Sequence, residues 1–504
     1  MKATKLLALT LAAIMSAMCF TACGGDSEET KAPAVTQGPA DQNTDTYFVP
    51  DTKYNDEEFT ILTNTDDAEW SNTDFFQEED SDDPVKSAAY HRQQLIEDTF
   101  GVKIKVIEGQ SRGSINDLVT TAVKSDTKDY DLVVNSIDRM YTLAQSDCLT
   151  NLNDITHLDL TSDSWDQAML SQTSIGSNNY FAAGDITVID NDATWVMMFN
   201  KKLAKNLGIG EEEGPKSIYD LVRDGEWTLD KLLEYSNLFT YQDLDASGTI
   251  THLDQFPIAT TVDFITGLYY GTNSRIVAKD ADDLPYLQKL SDASIKLIDK
   301  IANIYTASNQ ITFDCHDYAS VEPQVHLLAQ QMFEEDRALF YSEVMQCVTR
   351  LREMNTDFGI IPVPKADTKQ ANYTTHSVAI VTLVAGVSKD ISFDSQRLER
   401  SGMIMQALAV EGKNILTPAY YESSLIGKGT RDEESADMLP IIFANRVVDI
   451  GYVIGDDKVT TIKDSLITAV KNNSTGQLSS LFKRNETKVN AALQDIIEKF
   501  NSVE

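Results

Sequence analysis

Phe59-Thr60-Ile61-Leu62, the following Asp83-Pro84 and Gly101, and the runs 102–107 and 130–134 decide the fold of this 504-residue chain. The three runs are short, apolar and rich in β-branched residues, so they read as strands. Between the first two, Asp83 offers a capping carboxylate, Pro84 suits a first helical turn, and Gly101 closes the segment. Val85, Ala88, Ala89, Leu95, Ile96 and Phe100 recur near the helical period within it. Ser114 is read as the cap of a second helix carrying Ile115, Leu118, Val119, Ala122 and Val123. The order β-α-β-α-β predicts a parallel sheet covered by helices, with ligands outside the carboxyl ends of its strands. The loops to watch are therefore 63–70, which contains Trp70, and Asn135-Ser136.

Further along, 194–200, 337–341, 358–363 and 378–384 read as strands, and 228–241 and 291–305 as capped helices. Beyond Asp394 the pattern is mostly helical, ending in a long amphipathic stretch over 478–500. No repeat recurs at a fixed spacing, which excludes a solenoid or a propeller.

The amino terminus sets the location. Lys2 and Lys5 precede an apolar run from Leu6 to Phe20, too short to anchor stably across a bilayer, and the run ends in Phe20-Thr21-Ala22-Cys23. This stretch resembles the lipobox of bacterial lipoproteins, with Phe20 where Leu is usual. The resemblance implies cleavage after residue 22 and acylation of Cys23. Cys19 is the poorer candidate because the preceding Met18 is not small. From Gly24 to about residue 46 the chain is polar with scarcely a large apolar side chain, a composition that suits a flexible leash. The expected organisation is a signal peptide over 1–22 and a linker over 23–55. The globular body is held at the outer face of the cell membrane by lipid on Cys23.

Charge narrows the partners. The chain carries 42 basic and 78 acidic side chains, net −36, which repels phosphate and argues against nucleic acid or anionic lipid. The acids crowd over 66–83, where a solvated acidic loop suffices as an account. Of 5 cysteines, Cys148, Cys315 and Cys347 remain once Cys19 is removed and Cys23 acylated; three cannot all pair, so this is no disulfide scaffold. Gly208-Ile209-Gly210 resembles a phosphate loop but has the wrong spacing and three glutamates after it. His-Glu-x-x-His and Walker sequences are missing, and the 6 histidines are scattered. No cofactor is required by anything in the sequence.

One local motif has chemistry of its own. In 243–254, Asp243, Asp245, Ser247, Thr249, Thr251 and Asp254 place oxygens in the pattern of an EF-hand-like calcium loop, with Gly248 at six and Ile250 at eight. The closing Asp254 is shorter than the usual Glu, and Ser247 is neutral, so affinity should suffer. Structural Ca2+ would staple the loop; an acidic turn without metal is the alternative.

The order of signals along the body resembles the extracellular solute-binding proteins of ABC importers, especially long, lipid-anchored members taking up oligosaccharides. It is carried by Tyr130-Asp131-Leu132-Val133, 148–153, Trp165, Gly184-Asp185 and Phe199-Asn200-Lys201-Lys202-Leu203. It continues in 218–228, Arg337-Ala338-Leu339-Phe340, 357–365, 418–422 and 431–435. The resemblance implies an α/β, two-lobed periplasmic-binding-protein type II fold whose hinged lobes close on a solute. Lobe 1 is expected over 56–187 and 340–375, lobe 2 over 188–339 and 376–504. Delivery to ABC permease subunits follows from the same likeness.

Sugars present flat apolar faces ringed by hydroxyls, so their sites combine aromatic platforms with Asp, Asn, Glu or Arg. On that ground Trp70 and Trp195 are stacking candidates, each with a structural role as the alternative. Asn135 and Asp185 are candidates from their places at a strand end and at a lobe crossing. The resemblance adds Asp263 and Phe264 in a segment lining the second lobe, Tyr341 and Glu343 after a crossing strand, and Tyr452. A lipid-anchored glycoside hydrolase, needing two carboxylates at fixed separation, is the competing class, with an adhesion or sensory lipoprotein as a third.

Overall fold

The first three strands form as expected. The structure, a computed structural model, describes residues 45–64, 74–306, 310–422 and 432–501. In it β1 (Glu57–Thr63) pairs in parallel with both β2 (Val102–Glu108) and β3 (Leu132–Ser136). The helix Pro84–Phe100 begins under Asp83, whose carboxylate accepts from the Val85 and Lys86 amides at 3.0 and 3.2 Å. It ends at Gly101, where φ is +67° and a side chain would be strained. The second helix, Arg112–Ser125, starts three residues earlier than the sequence suggests. Ser111 is its cap, and Ser114 is the third-position partner that closes a reciprocal capping box.

A fourth strand, β12 (Leu383–Gly386), joins this sheet antiparallel to β3 and gives the order β12-β3-β1-β2. The strand expected over 378–384 is thus displaced toward the carboxyl end. Residues 379–381 form a turn instead, with Thr382 N–H donating to Val378 O at 2.9 Å. The helix Ser395–Glu411 is tied to the same sheet by a buried ion cluster. Asp131, fully buried, accepts from Arg397 at 2.7 and 3.0 Å, from Arg400 at 3.0 Å and from the Thr60 amide at 2.8 Å.

The second sheet has the order β10-β4-β9-β5-β8. It contains β4 (Trp195–Asn200), β5 (Phe256–Thr260), β8 (Thr312–Asp314), β9 (Ala338–Val344) and β10 (Phe358–Ile361). Two small pairs complete the strands: β6 (Val277–Lys279) with β7 (Pro285–Leu287), and β11 (Thr375–His376) with β13 (Arg446–Val447). This corrects the expected lobe boundaries. β9 is flanked by β4 and β5, and β10 by β4, so 338–361 belongs with the second sheet while 383–386 completes the first. The carboxyl-terminal helix Leu478–Asn501 lays Phe500 edge-on against Tyr180 at a centroid distance of 5.1 Å.

Candidate functional site

Both sheets turn their carboxyl ends toward three segments that run side by side between them. Thr194 bridges to Ser377, Val378 N–H donates to Ala193 O at 3.0 Å, and β11 lies parallel to β13. From the first sheet, β3 ends at Ser136, and the next amide, Ile137 N–H, donates to Thr382 O at 3.0 Å. From the second, the parallel strands β5 and β9 end beside Trp195, where Met345 N–H donates to Thr194 O at 2.8 Å. In open α/β sheets this is where ligands are held.

Three of the expected ligand residues meet here. Asp263 follows β5 at the head of the helix Phe264–Gly271, is exposed, and its carboxylate has no hydrogen bond among the described residues. Glu343 is the last but one residue of β9, only 8% exposed, with a single hydrogen bond from the Val344 amide at 3.0 Å. Burial, then the neighbouring Asp263 carboxylate, pushes its carboxyl up to about 8. Tyr452, half-buried on the short helix Ile450–Val453, takes the Ala379 N–H on its hydroxyl and carries the Lys463 ammonium 5.1 Å above its ring. Burial, reinforced by Asp263, raises its phenol far above the usual range.

The other expected residues are placed differently. Trp195 is core: its indole N–H donates to Ser342 Oγ at 2.9 Å and its ring stacks on His376 at 5.6 Å, forming the floor beneath Tyr452. Phe264 is fully buried on the inner side of its helix. Tyr341 is fully buried against Phe333, because β9 runs three residues beyond the expected end and carries Glu343, not Tyr341, to the rim. Asn135 is also buried, donating to Arg112 O and Asn116 Oδ1 at 3.0 and 3.1 Å while accepting from Ser136 N–H. It shapes the strand end rather than facing a ligand. Asp185 accepts the Thr417 hydroxyl at 2.6 Å, and burial pushes its carboxyl up to about 6. Trp70 and Cys23 lie outside the described residues.

Sequence reasoning missed several groups around the same junction. Asp138, in the first turn after β3, has a buried Oδ1 without a partner. Its position just past a strand's carboxyl end is a signal that could have found it. Asp192, half-buried on a crossing segment, accepts the Tyr420 hydroxyl at 2.6 Å, and burial lifts its carboxyl to about 7. Arg350 and Lys463 come from distant helices and carry no local signal. A cavity of about 650 Å³ lies elsewhere, between the β1–β2 surface and Arg397 and Arg400. Both arginines are already engaged by Asp131, so we do not place the solute there.

The calcium-like loop brings three of its six candidate groups together. Carboxylate oxygens of Asp243, Asp245 and Asp254 lie within 4.8 Å of one another, Ala246 and Gly248 take φ of 53° and 71°, and Asp254 is buried. Bonds from Ser247 and then Thr251 hold the Asp245 carboxyl down to about 2. The same carboxylates accept Ser247, Gly248 and Thr251 N–H groups at 2.8–3.1 Å, Asp245 also accepts the Thr251 hydroxyl, and Asp254 also accepts the Leu244 amide and the Tyr241 hydroxyl, which leaves at least one lone pair on each for a hard cation. The donor set fits calcium. β5 follows the loop, so it is not a helix-loop-helix.

Two α/β lobes whose strand ends converge on shared crossing segments define a two-lobed binding protein. The chain belongs to the bacterial extracellular solute-binding protein family, whose profile matches residues 92–388. That family binds solutes and is not a family of enzymes. Among solved structures, the chain is similar to the cyclic α-maltosyl-1,6-maltose binding protein from Arthrobacter globiformis. The TM-score is 0.55 at 13% identity, covering 87% of this chain and 100% of that one. It is also similar to a cyclo/maltodextrin-binding protein complexed with maltotetraose, with TM-score 0.53, 12% identity and coverage of 89% and 98%. A third is an ABC substrate-binding protein from Listeria monocytogenes in complex with cycloalternan, with TM-score 0.52, 12% identity and coverage of 87% and 99%. At these identities the likeness is one of fold. No curated protein matches the chain in sequence.

Proposed function

We propose that this protein is a lipid-anchored receptor that captures an oligosaccharide between its lobes and delivers it to the permease subunits of an ABC importer. The observation that carries the reading is the meeting of Asp263, Glu343 and Tyr452 at the crossing segments, an aromatic face beside two hydrogen-bonding acids. The ligands named for the similar structures, maltotetraose and cycloalternan, support the same solute class. Trp70 is retained as a second stacking platform from the loop after β1. Closure of the lobes requires contacts from both, which Asp138 on the first and Asp263 on the second supply. Acylated Cys23 holds the body at the outer membrane face, and no helix among the described residues is long and apolar enough to cross a bilayer. Calcium on Asp243, Asp245, Ser247, Thr249, Thr251 and Asp254 is a structural staple.

Incubating the purified protein with a panel of oligosaccharides, while following melting temperature and product release together, tests the reading. Stabilisation by one class of sugar without turnover is the expected result. Released product would favour a glycoside hydrolase, and no stabilisation by any sugar would overturn the proposal.

A further inference from the structure

The charges around the junction are uneven. Asp263 and Glu343 come from the ends of neighbouring strands, and each makes no hydrogen bond to a cationic side chain among the described residues. Asp138 and Asp192 add carboxyl groups from the first lobe and from a crossing segment. Three basic groups answer them. His316, raised by its bond to Asp314, is the first to act on Asp263; Lys463, held over the Tyr452 ring, follows; and Arg350 acts on Glu343 and Asp192 while its guanidinium donates to Gln346 at 2.7 Å. With Glu343 and Asp192 both raised by burial, the anion left facing a solute without a hydrogen bond is Asp263, inside a chain of net charge −36.

Resting on the oligosaccharide reading above, we infer that the cleft takes uncharged oligosaccharides and rejects those bearing carboxylate or sulfate groups, with Asp263 and Glu343 as the discriminating pair. A sugar hydroxyl is both donor and acceptor, so it satisfies the unpaired Asp263 carboxylate without adding charge. Glu343, held protonated near neutral pH by burial and then by Asp263, offers a donor and an acceptor to a second hydroxyl. A uronate carboxylate has no proton to give Asp263 and would ionise beside it. Like charges brought together at a desolvated site oppose binding, and the field of the whole chain opposes the approach.

The test is calorimetry at neutral pH with neutral gluco-, manno-, xylo- and galacto-oligosaccharides against uronate and sulfated oligosaccharides of matched length. The expected result is binding of at least one neutral probe and an affinity for every anionic probe lower by about a hundredfold or more. In Asp263→Asn/Glu343→Gln, and more weakly in Asp263→Asn alone, that ratio should fall by about tenfold or more, even though neutral binding weakens as well through the lost hydroxyl contacts. Asp263 is exposed, so the single variant keeps the test independent of folding. Anionic probes binding as tightly as neutral ones would overturn the inference and leave the oligosaccharide reading standing. An unchanged ratio in the variants would overturn the assignment of the pair. Binding of no probe at all would overturn the oligosaccharide reading and this inference with it.

Discussion

Replacing Glu343 with Gln should change how stability depends on pH, and the direction follows from the burial of the side chain. In an unfolded chain this carboxyl releases its proton near 4.5; in the fold it does so near 8, chiefly through burial and secondarily through Asp263. Between those values the native state holds a proton that the unfolded state has lost, so stability falls as pH rises through the window and levels off above about 8. At 1.36 kcal/mol per pH unit, the whole window caps the loss at roughly 5 kcal/mol. Asp185, Asp190 and Asp192 are also raised by burial and contribute with the same sign, so the informative quantity is the difference between wild type and variant. Glutamine keeps the shape and can still accept the Val344 amide, but it cannot ionise. Glu343→Gln should therefore match wild type near pH 4 and exceed it by about 2–5 kcal/mol near pH 9. Urea unfolding followed by circular dichroism at a series of pH values measures this. Two parallel profiles, separated by a constant amount, would mean that Glu343 titrates normally and would refute the reasoning.

Asp131→Ala leaves the buried Arg400 guanidinium without its central partner and should cost about 3–5 kcal/mol in urea unfolding, whereas a loss below about 1 kcal/mol would show the cluster to be dispensable. Millimolar calcium should raise the melting temperature by a few degrees, reversibly with chelator, and Asp243→Asn/Asp245→Asn should abolish the effect. Cys23→Ala should release the protein from the cell surface without altering sugar affinity, and continued membrane association in fractionation would contradict lipid anchoring there.

The first sheet was legible because its signals are local. Asp83, Pro84 and Gly101 delimit a helix by their own chemistry, and apolar runs of strand length stand on either side. What fixed the lobes was not local. β9 is assigned by pairing with β4 more than a hundred residues upstream, and nothing in 338–344 itself reports that partner. The apolar residues of 378–384 read as a strand, yet Val378 spends its amide on Ala193 and the chain turns before β12 begins. At the site, the resemblance pointed to Asp263, Glu343 and Tyr452, while Asp138 and Asp192 went unread. Asp263 and Glu343 cannot be buried cheaply without partners, so a strand end is where they belong. Trp195, Phe264 and Tyr341 are equally at home in a core, and three residues of strand length decided between Tyr341 and Glu343.

The interleaving of the two sheets has a consequence for biogenesis. The edge of β3 stays open until residues 383–386 have been made and exported, nearly 250 residues after β3 itself. During that interval its main-chain donors and acceptors are free to pair with any passing extended chain. Cutting the gene at either crossing would leave the first lobe incomplete, since β12 is encoded beyond the cut, whereas all five strands of the second sheet lie within 195–361. Such distant pairings make folding slow and prone to misassembly. A cell that displays this protein should therefore depend on factors that hold the secreted chain apart until its last sheet partners arrive.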